Sequence, residues 1–142
     1  MRIKILLSTA ALTLLAGVAF AGLKQPAPVM VDLVNMTANG DQVTARIAKD
    51  DFSYIGCGIR VFDDGVNSFA FGFCQAAADS EENQITCFTE NPNLLQTMGA
   101  TSDFAFITFS WQDDGFGGAE CTRVGYSTQS FYLPNFTTKG KN

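Results

Sequence analysis

The sequence predicts an all-β domain, an antiparallel meander of seven or so strands forming a sandwich or incomplete barrel, with one short helix and two disulfides. Three observations carry that prediction. Phe69, Phe71 and Phe73 alternate with Ala70 and Gly72, the period-two pattern of a strand. Clusters rich in aspartate, asparagine and glycine punctuate the apolar segments. Cys57, Cys74, Cys87 and Cys121 are an even set in a chain that begins with an export signal. A length of 142 residues fits one domain, and 46% hydrophobic with 12% aromatic residues supplies enough apolar surface to offset chain entropy.

Taken in order, Arg2 and Lys4 precede an apolar run from Ile5 to Ala16, and Ala19-Phe20-Ala21 fits a signal peptidase site. The run is short of the roughly 20 residues a membrane span needs, so residues 1–21 read as a signal peptide and Gly22 as the new N-terminus. Residues 22–134 then form a single β domain. Val29 to Met36 and Gln42 to Ala48 flank Asn39-Gly40, a hairpin signal that would set Val34 against Ala45 and Met36 against Val43. A turn centred between Gly65 and Val66 sets Cys57 against Cys74, and one centred between Ser80 and Glu81 sets Cys74 against Cys87. Phe62 and Phe88 extend the aromatic face of Phe69–Phe73 onto the flanking strands. Asn91 can cap a helix that starts at Pro92, carries Leu94, Leu95 and Met98 on one side and stops at Gly99. Strands follow at Phe104 to Trp111 and Cys121 to Tyr126. Ser130 to Leu133 adds a short edge before Pro134, and residues 135–142 form a frayed tail.

The register favours disulfides Cys57–Cys74 and Cys87–Cys121, with Cys74–Cys87 and Cys57–Cys121 as the rival pairing. No two cysteines are spaced as a zinc knuckle requires. Histidine is absent, so histidine-based triads and histidine zinc sites are excluded, and no imidazole can activate a thiol.

Ala45-Arg46 followed by Tyr54-Ile55-Gly56-Cys57 resembles a pattern of small exported four-cysteine, β-rich proteins of Gram-negative bacteria. So do Cys87-Phe88-Thr89-Glu90-Asn91-Pro92-Asn93-Leu94, Phe106-Ile107-Thr108-Phe109-Ser110-Trp111, Glu120-Cys121-Thr122 and Ser130-Phe131-Tyr132-Leu133-Pro134. The likeness runs from about Ala45 to Pro134. It departs after Trp111, where the family's tight Asp-x-x-Gly-x-Cys turn is replaced by a longer, glycine-rich stretch from Gln112 to Glu120. It implies the β fold and export, and no catalytic residues.

The formal charge is −5, and loss of Arg2 and Lys4 takes it to −7. Such a chain repels phosphate backbones and anionic lipid, so nucleic acid is not an expected partner, and no later segment predicts a membrane span. Asp50-Asp51, Asp63-Asp64 and Asp113-Asp114 could offer oxygens to calcium, but none has calcium-loop spacing and aspartate is also a usual turn former. Glu90, Asp103 and Glu120 are the carboxylates a glycoside hydrolase would need, although solvation explains them as well. Among Trp111, Phe116, Tyr126, Phe131 and Tyr132, Trp111 reads as core. Phe116, in a glycine-rich loop beside Asp113 and Asp114, reads as a candidate anchor for a protein or glycan partner. The expected function is that of a secreted or periplasmic, non-enzymatic binding or envelope-associated module without a cofactor. The alternatives are an inhibitor of a cationic hydrolase such as lysozyme, and a fibre-forming subunit.

Overall fold

In the computed structural model, which describes residues 22–134, strands β1 (Met30–Asp32), β2 (Thr37–Asp41), β3 (Tyr54–Asp63), β4 (Ser68–Ala77), β5 (Gln84–Thr89), β6 (Phe106–Asp113) and β7 (Ala119–Ser127) form one sheet. Helix α1 (Gln42–Arg46) follows β2, and α2 (Pro92–Gly99) lies between β5 and β6. The expected signal peptide and tail lie outside the described residues. Among the described residues, no helix is long and apolar enough to cross a membrane.

The sheet order is β1-β2-β6-β7-β5-β4-β3. Two antiparallel blocks, β3-β4-β5 and β1-β2-β6-β7, meet where β5 runs parallel to β7 at Phe88 and Glu120. The expected meander therefore holds only for β3-β4-β5 and within the hairpins β1-β2 and β6-β7; β2 pairs with the sequence-distant β6, and the whole sheet is mixed. The reason is the connection through α2: a helical crossover lets the chain skip a position, which a tight turn cannot do. The sheet also curls, because β2 touches β3 and β1 touches β4 across its inner face. Val29, Ala38, Ile55, Cys74, Ala76, Cys87, Met98, Ile107, Phe109, Trp111 and Cys121 form the buried core of that curl. Burying a side chain such as Phe109 stabilises by about 1.5–3 kcal/mol.

Both cysteine registers are as the turns predict: Cys57 faces Cys74, and Cys74 faces Cys87. The disulfides are Cys57–Cys74 and Cys87–Cys121, with Cα separations of 4.0 and 5.1 Å. The first fixes the β3–β4 register. The second spans the parallel seam between the two blocks. The helix over Pro92–Gly99 also forms as predicted, with Asn91 accepting a hydrogen bond from the Asn93 amide at 3.0 Å.

Three local expectations are corrected. Asn39-Gly40 is not a turn: it lies inside β2, opposite Thr108 and Ile107. Gly40 is there because a Cβ would sit 2.8 Å from the Val29 Cα. The turn is displaced to residues 33–36, where Asp32 Oδ1 accepts from the Val34 and Asn35 amides and Met36 takes a φ of 53°. Gln42 to Ala48 is not a strand either. Asp41 caps a helix over Gln42–Arg46 by accepting from the Thr44 amide at 2.7 Å, and local capping overrides the alternation. Finally, Ser130–Tyr132 is a 3-10 turn rather than an edge strand, with the Tyr132 ring 5.4 Å from that of Phe106.

Candidate functional site

Period-two alternation gives β4 two unlike faces. Gly72, Cys74 and Ala76 are buried on the inner face. A Cβ on Gly72 would collide with the Met98 sulfur and lie 2.9 Å from Leu95, so the small residue is what lets α2 pack there. Phe69, Phe71 and Phe73 point the other way, to the outside. Phe62 from β3 and Phe88 from β5 join them. Phe62, Phe69 and Phe88 are each about half exposed, at 51, 56 and 50%. This outer aromatic face is the most distinctive surface among the described residues.

The rings form a continuous ladder. Phe62 and Phe69 are register partners with centroids 5.0 Å apart and planes within 10°. Phe71 lies 6.1 Å from Phe62 and 6.1 Å from Phe88, and Phe88 lies 6.5 Å from Phe73. Gly58, opposite Phe73, leaves room for that ring: a Cβ there would be 2.9 Å from Phe73 Cζ. The Arg60 guanidinium sits over the Phe73 ring at 4.9 Å, while its Nη1 donates to the Ile59 carbonyl at 3.0 Å.

Beside the ladder an open groove of about 390 Å³ straddles the parallel seam. Phe71, Phe88, Thr89 and Glu90 line it from one block, and Asp114, Ala119 and Glu120 from the other. The Cys87–Cys121 disulfide lies directly beneath, on the inner face, next in sequence to Phe88 and Glu120. Glu120 also accepts a hydrogen bond from Gln112 Nε2 at 3.0 Å.

The residues singled out from sequence are distributed as follows. Phe116 stands at the tip of the β6–β7 hairpin, 97% exposed. Asp113 Oδ1 accepts from the Gly115 amide at 2.6 Å, and Asp114 Oδ1 accepts from Phe116 and Gly118 at 2.8 and 2.9 Å. These two carboxylates therefore build the turn that presents Phe116. The amides of Phe116 and Gly118 hold the Asp114 carboxyl below the usual carboxylate range. Asp63 and Asp64 act in the same way, accepting from Gly65, Val66 and Asn67. Among the described residues, no three acidic or cysteine side chains are grouped as metal ligands. Glu90 and Glu120 meet at the groove, whereas Asp103, in the turn before β6, is not part of its lining. Trp111 is buried against Phe109, as expected. Phe131 and Tyr132 pack on each other.

Sequence reasoning found the phenylalanine face but not Arg60 or the groove. The small residues interleaved with the phenylalanines, Ala70, Gly72 and Cys74, were the available signal that the opposite face is the one that packs. Comparison with family models, characterised proteins and solved structures finds no match to the chain.

Proposed function

We propose that this protein is an exported, non-enzymatic binding module, secreted or periplasmic, that engages a partner through the outer phenylalanine ladder. The observation that carries this reading is the exposure of Phe62, Phe69 and Phe88 on a sheet crosslinked by two disulfides. Contiguous apolar surface of this kind marks an interaction site when it is held on a rigid support. Four cysteines paired without a free thiol support residence in an oxidising compartment. The test compares the immobilised oxidised protein with a Phe62→Ser/Phe69→Ser/Phe88→Ser variant, using the cell's own envelope fraction and medium. A molecule retained by the wild type and lost by the variant is the expected result. Identical retention by both would overturn the reading.

The inhibitor reading has one observation of its own, the near-complete exposure of Phe116 on a loop pinned by Asp113 and Asp114. If that loop is an inhibitory anchor, Phe116→Ala leaves the unfolding midpoint unchanged and abolishes inhibition of a basic hydrolase such as lysozyme. Inhibition that survives the substitution, or no inhibition by the wild type, removes this reading.

A further inference from the structure

We propose that the groove over the parallel seam receives a cationic, amphipathic peptide segment of a partner protein, with its apolar side chains on Phe71 and Phe88 and its basic groups among Glu90, Asp114 and Glu120. This rests on the binding-module reading and names the chemistry of the partner. The groove is lined by two phenylalanines and three carboxylates. The three carboxylates come from the β5–α2 junction, the β6–β7 loop and the start of β7, so the fold, not a local run of sequence, assembles them. No basic residue lines the groove to neutralise them. Asp114 stays ionised into acid because its turn amides favour the charged form.

The same ladder already carries a guanidinium. Arg60 lies 4.9 Å above Phe73, so the surface accommodates a cation on a ring face, where the ring quadrupole attracts it. The other occupants fit less well. The two rings of the groove, Phe71 and Phe88, are 6.1 Å apart and tilted by 56°, so they offer no single flat platform for a sugar. A second copy docked by the same groove would bring like carboxylates together in a chain of net charge −5.

The experiment measures fluorescence anisotropy of a labelled peptide of alternating arginine and leucine, titrated with the oxidised protein. Its control is the same peptide with citrulline in place of arginine. The arginine peptide is expected to bind, with affinity reduced at least about tenfold by citrulline and by Glu90→Gln/Glu120→Gln. Phe88→Ser should abolish binding. Glu81→Gln/Glu82→Gln, which removes the same charge from an exposed turn away from the groove, should leave binding unchanged. Equal loss in that second double variant would show attraction to net charge alone and overturn the proposal. Equal binding of the citrulline peptide would overturn the cationic occupant while leaving apolar recognition standing. Absence of binding by either peptide would also overturn it, and the retention experiment with the serine variant then decides the broader reading separately.

Discussion

Asp41 joins three pieces of chain with one buried carboxylate. It is 1% exposed and accepts from the Ala27 amide at 2.6 Å, the Thr44 amide at 2.7 Å and the Thr44 hydroxyl at 2.6 Å. Replacing it with alanine leaves two half-buried amides and a hydroxyl without their acceptor, so Asp41→Ala is expected to lower unfolding free energy by about 2–3 kcal/mol in urea titrations. Asp41→Asn keeps one acceptor oxygen but turns an amide donor toward one of the donors, so it should cost less than alanine yet still destabilise. A wild-type midpoint for alanine would show that the cap is dispensable. The exposed aspartates have a different consequence. Backbone amides of Asn67 and Val66 depress the Asp64 carboxyl, and those of Phe116 and Gly118 depress Asp114. Asp32 and Asp50 are depressed too, first by the Asn35 side chain and by the Ser53 amide respectively. A depressed folded value means that this stability is complete above about pH 4 and is lost as pH falls through the folded values. Asparagine can accept the same turn bonds without titrating. Thermal unfolding between neutral and strongly acidic pH should therefore fall less steeply for Asp64→Asn/Asp114→Asn than for the wild type. Parallel curves would show that these turns do not contribute to acid sensitivity.

Among the elements, the junction of β5 and β7 is the least redundant. The strands share a single register pair, Phe88 with Glu120, whereas β3 and β4 are paired over their whole length. The Cys87–Cys121 bond is the covalent link across that junction, and its 34-residue separation exceeds the 17 residues of Cys57–Cys74. Removing either disulfide should cost about 2–4 kcal/mol, and loop closure makes the longer one worth about 0.6 kcal/mol more. In Cys87→Ala/Cys121→Ala, hydrogen exchange should accelerate first in β5 and β7. In Cys57→Ala/Cys74→Ala it should accelerate in the β3–β4 arm; uniform acceleration in both variants would mean that the two blocks open as one unit. The same elements show what the sequence could disclose. Turns built from adjacent residues were legible at Asp63 to Asn67 and Asp79 to Asn83, and with them came the cysteine registers and the pairing the register favoured. Asn91-Pro92 and Gly99 likewise bracketed α2. Asn39-Gly40 misled because a buried neighbour, Val29, and a four-residue cap, Asp41 to Thr44, outrank a dipeptide's turn preference. The parallel seam had no local signature at all, since it depends on which block edges meet after α2 crosses. The groove was hidden for the same reason: Phe71, Glu90, Asp114 and Glu120 become neighbours only once the seam has closed.

For the molecule as a whole, net charge and the exposed ladder pull association in opposite directions. An apolar surface favours covering itself with another copy, and β3 at the sheet edge offers unpaired backbone for strand addition, the route a fibre subunit would use. A charge of −5 opposes both, and that repulsion is screened with a Debye length of about 10 Å at 0.1 M salt. Contact with a basic partner draws on the same charges with the opposite sign. The two modes therefore respond to salt in opposite directions: self-association strengthens as ions screen the repulsion, while binding of an arginine-bearing segment weakens. Sedimentation velocity on the oxidised protein should show a monomer at low ionic strength, with any dimer growing only as salt is added and disappearing in Phe62→Ser/Phe69→Ser. Polymers at low salt would mean that edge pairing or ring burial outweighs the charge, and the ladder would then be a subunit contact rather than a receptor for a cation. A monomer throughout, together with salt-weakened peptide binding, is the pattern expected if the groove's carboxylates select what reaches the phenylalanines.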